Sequence, residues 1–483
     1  MRQIMADQKQ LGETDISEVA LDPQSRDEIP QVLSGLKQIY NDPETRREVF
    51  RILEKLIPEG VRTDTGRRGM DLWKILVMGV LRLVCNWDFD HLHDQVNNHR
   101  TIRQILGHGL LNFFDIYSLQ TLKDNVSLFT PAILAEINQV VVKAGHRLLG
   151  KTDEPLKAKG DSFVVETNVH YPTDINLLWD ALRKLILLTA ALCGAHGLEG
   201  WRQFSYWLRK IKQAFRKIQK LKSSTSKDEQ KQAARQRKIQ EAHQTYIDMA
   251  QEVMARVETT LASLPASASK TSVEEIKTYV AHARRQVNQI ERRVIQGETI
   301  PHKEKVFSIF EPHTRWISKG KAGVPQELGL PVCVMEDQFG FILAGLVMET
   351  EIDKEVAVSF TRAVKVVYPN LSRCSFDQGF YSPANLKELP NVLDVVILPK
   401  KGRLSAADQE RESSEAFVEG RRQHPAIESA INGLETAGLD RCPDHGIDGF
   451  KRYVGLSILA RNLQTLGKIV QQREKKKQMR QAA

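Results

Sequence analysis

The sequence predicts a mixed α/β chain: a mixed sheet with flanking helices, interrupted by a long coiled-coil-like helical insertion and preceded by an all-α N-terminal domain. Three observations predict it. Apolar residues recur at helical spacing through residues 42–149. Short β-rich runs stand at 163–165, 332–348, 373–376 and 395–398. Between the first and second of these runs, two apolar seams repeat at spacings of three and four.

A length of 483 residues exceeds what one ordinary core holds, so two or three domains are expected. Residues 1–35 are polar and broken by Pro23 and Pro30, and read as a loosely held leader. Residues 36–150 read as an independent helical domain that binds DNA, with Val49, Leu53 and Leu56, then Leu72, Ile75 and Leu76, then Leu119 and Leu122 marking successive apolar faces. Within it, His99, Arg100, Arg103 and His108 decorate NNHRTIRQILGHG, while Ile102, Ile105 and Leu106 supply a buried side. Two readings fit that pattern: a short helix laid against DNA, and an ordinary solvated helix face.

The sheet-bearing domain is expected over 151–180 and 300–470. After HYPTD, Thr173 or Asp174 caps a long helix starting at Ile175. The insertion then covers 181–299. Its seams are Phe204, Leu208, Ile211, Phe215 and Ile218, and Val273, Ile276, Val280, Ala283, Val287, Ile290 and Val294. Serine-rich links at 223–226 and near Pro265 predict antiparallel helices folded into a hairpin or small bundle. Strand character returns near Val332: VCVMEDQFGFILAGLVM reads as two strands about a turn at 337–340, followed by a helix from about Lys354 to Val367. A basic tail occupies 471–483.

Lys and Arg outnumber Asp and Glu by 69 to 60, giving a net charge of +9, which favours a polyanionic partner. Residues 201–240 alone carry 13 Lys or Arg against 2 acids, or +11. That concentration suits a DNA-gripping arm with strongly salt-dependent binding; a solvated coiled-coil face is the plainer alternative. The five cysteines form no CxxC pair, so neither a zinc site nor a disulfide framework is indicated and a reducing cytosol fits. The most apolar run, residues 72–87, contains Lys74 and Arg82 and is too short to cross a bilayer, so no membrane association is expected.

Three acids stand in different local frames: Asp161 in KGDSFVVETNVHYPTD, Asp377 in CSFDQGFYSPANL and Glu428 in HPAIESAINGL. Asp161 adjoins a β-rich stretch, Asp377 ends a short strand, and Glu428 falls beside a helical stripe of Ile427, Ile431 and Leu434. Two strand-borne carboxylates and one on a helix are able to converge at a sheet edge. Hard oxygen ligands of that kind suit a pair of Mg²⁺ ions in phosphoryl transfer. By contrast, Glu166, His170 and Asp174 recur every four residues without forming a metal site, because strand residues alternate faces and Pro172 breaks any helix; His170 and Asp174 are expected to hydrogen-bond near the rim.

The segments GDSFVVETNVHYPTDINLLWD, VFSIFEPHTRWISKGKAGVPQELGL, FDQGFYSPANLKEL and RRQHPAIESAINGLETAGLDRCPDHGIDGFKRYVGLSILARNL resemble the DDE transposases of bacterial insertion sequences, in the ISNCY-type group. The likeness covers most of the chain, and GRRGMDLWKILVMGVLRLVCNWDFDHL looks like their helical leader domain. The resemblance implies a ribonuclease H-like catalytic fold, cleavage at transposon ends with two Mg²⁺ ions (or Mn²⁺), strand transfer into target DNA, and Asp161, Asp377 and Glu428 as the catalytic, metal-binding acids. It also implies DNA partners with terminal inverted repeats, a homodimer or higher oligomer on DNA, and a cytoplasmic, nucleoid-associated enzyme. Related enzymes often carry Arg four residues before the helical Glu and Lys seven after; here those positions are His424 and Glu435, leaving Arg421, Arg422 or His424 as the basic partners. Lys319 and Lys321 in ISKGKAG are further phosphate contacts, with a solvated turn as the alternative. A catalytically silent DNA-binding relative and a nuclease that cuts without joining remain the competing functions.

Overall fold

Seven strands form one mixed sheet in the computed structural model, which describes residues 3–5, 14–57, 60, 69–109, 115–223, 228–318 and 326–482. They are β1 (Leu156–Thr167), β2 (Arg315–Ser318), β3 (Gln326–Glu336), β4 (Ile342–Val347), β5 (Leu371–Phe376), β6 (Val395–Ile397) and β7 (Arg441–Cys442). The sheet path runs β2-β3-β1-β5-β6, with β4 pairing β3 and β7 pairing β1. β1, β3 and β4 are antiparallel neighbours, whereas β5 and β6 run parallel to β1. The parallel strands need crossovers, and the helices Asp353–Val367 and Pro383–Glu388 precede β5 and β6 to supply them. The β3–β4 turn is the hairpin expected at 337–340; Gly340 takes φ +82°, a left-handed conformation that glycine adopts without a Cβ clash.

The chain divides into two compact units, residues 1–168 with 317–483, and residues 169–316. In the first, the helix Gly446–Ala482 packs on Glu28–Asn41, Leu72–Val84, Pro131–Leu149 and β4. Its crossing with Glu28–Asn41 is a backbone contact: a Cβ on Gly467 would stand 1.8 Å from the Gln31 carbonyl oxygen, and one on Gly35 would stand 2.1 Å from that of Leu463. Buried amides finish the packing on β4. Asn462 Oδ1 accepts from the Ile342 N–H at 2.8 Å, its Nδ2 donates to Asn138 Oδ1 at 2.7 Å, and Asn138 Nδ2 donates to the Ile342 carbonyl at 3.1 Å.

The N-terminal helices therefore do not close over a core of their own. Leu33, Trp73, Leu76 and Leu134 belong to the same hydrophobic cluster as Val165, Leu330, Phe376 and Leu459. Helical periodicity shows which face of each helix is apolar, but not that a sheet covers it. Arg82, inside the apolar run, is buried and neutralised by Asp444 at 2.8 Å. Residues 471–482 continue the Gly446–Ala482 helix rather than forming a separate tail. Strand structure also returns earlier than Val332, at β2 and at Gln326.

The second unit is a small helical bundle of Asp174–Ala195, Phe204–Lys222, Glu229–Ala262 and Lys270–Ile290, wider than the 181–299 insertion expected. Thr173 caps the first helix, accepting from the Asn176 N–H. The seam of Ile276, Val280, Ala283, Val287 and Ile290 is buried as its spacing predicts, with Val273 and Val294 half-buried at its two ends. The Phe204 seam is buried at Ile211 and Ile218 and half-buried at Leu208 and Phe215, but Phe204 itself is 36% exposed and Trp207 is buried instead. The link at 224–227 lies outside the described residues.

Candidate active site

β1 and β5 are adjacent and parallel, with Gly160 in register with Phe376. The next residues are Asp161 and Asp377, so the two acids stand side by side at the middle of the sheet, where β5 ends. Glu428 sits in the first turn of the helix Ala426–Leu434, which packs on β1 through a face that includes the buried Ile427, Ile431 and Leu434. Two devices fix that helix. His424 and Pro425 break it from the preceding Glu415–Gln423 helix, and Gly438 (φ +98°) turns the chain toward β7, its carbonyl accepting from Tyr453 Oη at 3.1 Å.

A fourth carboxylate joins them. Asp353, in the first turn of Asp353–Val367, accepts from Ser162 Oγ at 2.6 Å through Oδ1, and a Cβ on Gly379 would stand 3.1 Å from its Oδ2. The Asp161 pKa is pushed up to about 6, first by burial and then by the negative charges of Asp377, Asp353 and Glu428, against the lowering effect of the Ser162 N–H. Asp353 escaped sequence reading because its helix was expected to begin at Lys354. The available signal was an acid at the start of the helix that follows the β3–β4 hairpin.

No family model, curated protein or solved structure matches the chain. What the site offers chemically rests on its own residues. Four carboxylates are the hard oxygen donors that suit Mg²⁺ or Mn²⁺. Among the described residues, however, no three Asp, Glu, His or Cys side chains gather closely enough to hold a metal ion.

The basic residues fall into different environments. Arg421 and Arg422 are exposed in the last turn of Glu415–Gln423, where a helix dipole favours cations, rather than at the start of the Glu428 helix. His424 turns inward: it is 8% exposed, pairs with Ser375 Oγ at 3.0 Å, and burial pushes its pKa down against the opposing pull of Asp377. A neutral, buried imidazole is a poor phosphate contact, so that expectation is corrected. Arg100 is exposed, but Arg103 is 2% exposed and donates to the Val96 and Asp115 carbonyls. The basic face predicted for this helix thus loses Arg103 to the interior, and the buried His108 with it. Lys319 and Lys321 lie outside the described residues.

Glu166, His170 and Asp174 each take a separate partner. Glu166 pairs with Arg441 at 2.8 Å, His170 with Asp180 at 2.6 Å, and Asp174 with Arg293 at 2.7 Å. The five cysteines are free thiols. Among the described residues no single helix is long and apolar enough to cross a membrane.

Proposed function

We propose that this chain is a DDE-type transposase on a ribonuclease H-like fold, cutting DNA at insertion-sequence ends and joining the freed strand to target DNA. The observation that carries the reading is the convergence of Asp161, Asp377 and Glu428 on one neighbourhood from positions far apart in the chain, felt by Asp161 as like charge. The strand order supports it: three antiparallel strands, β4-β3-β1, continued by the parallel β5 and β6, with Asp161 on β1 and Asp377 just past the end of β5.

Asp161, Asp377 and Glu428, with Asp353 beside them, are the residues that would have to draw closer together to hold Mg²⁺ or Mn²⁺. Bound divalent cations supply charge stabilisation of the attacking and leaving phosphate oxygens. The chain's own part is electrostatic and positional. Burial, and then the like charge of its neighbours, raises the Asp161 pKa to about 6, so this carboxylate is mostly ionised at neutral pH and protonated in mild acid. Arg421 and Arg422, exposed in the last turn before the Glu428 helix, would hold backbone phosphates, and Ser162 ties Asp353 to the strand carrying Asp161. Cleavage by water and joining by a 3′ hydroxyl are the same displacement with different nucleophiles, so one set of positioned charges serves both. The DNA partner is a pair of terminal inverted repeats and a target, brought together by a homodimer or higher oligomer.

The test is cleavage of labelled element-end DNA with Mg²⁺, with supercoiled target present to reveal joined products. Asp161→Asn, Asp377→Asn and Glu428→Gln should each lower cleavage by at least about a hundredfold, the scale of losing a positioned electrostatic group. Equal cutting by parent and variants would remove these residues from the chemistry. Cleavage without joining would make the chain a nuclease, and DNA binding without cleavage a silent relative.

A further inference from the structure

β5 and β6 are parallel neighbours, with Ser375 in register with Ile397, so both strands leave the sheet at the same edge. The chain runs out of β5 through Asp377. It runs out of β6 through Leu398, Pro399 and Lys400 into a loop of Lys401, Gly402 and Arg403, which therefore starts about one strand spacing, roughly 4.8 Å, from the segment that carries Asp377. The carboxyl ends of parallel strands are where open α/β sheets place their ligands. Lys400 also interacts electrostatically with Tyr381, four residues past Asp377, which puts the loop beside that exit on a second ground.

The base of this loop is fixed on both sides. Lys400 donates to Glu412 Oε1 through its N–H at 2.8 Å and to Asp408 Oδ2 through Nζ at 2.5 Å. On the far side, Ser405 donates to the same Asp408 oxygen through Oγ at 2.5 Å and through its N–H at 3.1 Å, and the Asp408 N–H donates back to Ser405 Oγ at 3.2 Å, which caps the helix Ala406–Ser413. Arg411 donates to the Leu398 carbonyl at 3.0 Å and pairs with Glu412 at 2.9 Å. Lys400 and Arg411 are thus neutralised by Asp408 and Glu412 within the base itself.

The tip differs. Lys401 and Arg403 are exposed, and among the described residues neither side chain has an ion-pair or hydrogen-bond partner. Gly402 between them takes φ +91°, a left-handed conformation, and no atom lies within 4 Å of where its Cβ would stand, so the glycine serves the bend and the tip faces open space. Two cations carried on a pinned base have no internal partner to give up when an anion arrives. A phosphodiester approaching Asp161, Asp353, Asp377 and Glu428 meets like charge, and fixed positive charge at the same sheet edge offsets that repulsion. We propose that Lys401 and Arg403 form a phosphate clamp that holds the backbone of the DNA strand beside Asp377, with the phosphates next to the scissile one as its ligands. For the identity of that strand the proposal rests on the transposase reading; the affinity of the loop for phosphodiesters does not.

The test variant combines Lys401→Ala with Arg403→Ala, and its control combines Lys401→Arg with Arg403→Lys, which keeps both charges. Thermal melting checks that both remain folded. Anisotropy titrations of a labelled random-sequence duplex across salt concentrations read the number of phosphate contacts. The alanine pair should flatten the log–log slope by about 2, at about 0.9 for each contact, and the charge-keeping pair should hold the slope of the parent. Position is read with element-end duplexes in which single phosphates are replaced by neutral methylphosphonate. The parent should lose about tenfold in affinity at one or two phosphates flanking the cut, and the alanine pair should be insensitive at those same phosphates. A slope unchanged by the alanine pair, methylphosphonate losses equal in the parent and the alanine pair, or a polyglutamate peptide that outcompetes duplex at this loop would each overturn the proposal. A parent that binds duplex but never cuts element ends overturns the transposase reading instead, and the salt slope then decides the loop by itself.

Discussion

Burial and neighbouring carboxylates raise the Asp161 pKa from its ordinary 3.8 to about 6, and the sign of that shift has a stability consequence. A folded-state pKa above the unfolded one favours folding while the group is protonated, so the contribution is present below about pH 4 and lost as pH rises through about 6. The full shift is worth on the order of 3 kcal/mol. Asp161→Asn carries no such titration. With divalent cations chelated away, it should match the parent near pH 4, within the packing change itself, and exceed it by up to on the order of 3 kcal/mol near pH 8, as measured by urea unfolding at both pH values. A flat difference between the two proteins would mean that neither burial nor the neighbouring carboxylates raise the Asp161 pKa. Divalent cation should close most of that gap: Mg²⁺ at about a hundred times its dissociation constant stabilises the parent by about 2.7 kcal/mol and should leave the melting temperature of Asp161→Asn nearly unmoved.

At the scale of elements, the crossing of Glu28–Asn41 with Gly446–Ala482 is set by glycine. A methyl on Gly467 would press on a backbone carbonyl, which cannot rotate away, so Gly467→Ala should destabilise by about 3 kcal/mol, the upper end of overpacking costs, and lower the melting temperature. Gly35→Ala forces the same separation, so the double variant should cost less than the sum of the singles in melts of all the variants. The sequence shows part of this plainly. The Ile427, Ile431 and Leu434 stripe placed Glu428 at the margin of its helix's buried face, and the β3–β4 hairpin followed from two apolar runs about a turn. What stayed hidden depends on remote partners. Asp353 joins the site through Ser162, 191 residues earlier, and Arg103 is drawn inward by carbonyls supplied by Val96 and Asp115. The long helix Glu229–Ala262 buries Ile239, Ala242, His243, Tyr246 and Ile247, a seam too mixed in polarity for spacing alone to reveal.

For the whole molecule, the uneven distribution of charge is the property that bears on its partner. Residues 201–240 carry +11 in a chain of +9, so the remainder is close to neutral. In the helix Phe204–Lys222 the buried side is Trp207, Ile211 and Ile218, while Lys212, Arg216, Lys217 and Lys220 are exposed. Lys212 lies over the Trp179 ring at 5.8 Å, whereas Arg216, Lys217 and Lys220 point away from the buried side; all four are exposed and available to a polyanion. If they contact phosphates, DNA affinity should fall linearly in log–log form with salt, and each contact should contribute about 0.9 to the slope on duplex DNA. Replacing Lys212, Arg216, Lys217 and Lys220 by Ala should flatten that slope, weaken binding to specific and random duplexes alike, and leave the melting temperature close to that of the parent. Anisotropy titrations across a range of salt concentrations read all of these except melting. A slope unchanged by the substitutions would identify the basic stretch as a solvated helix face, and the DNA contacts would then have to come from the unit that carries the carboxylates.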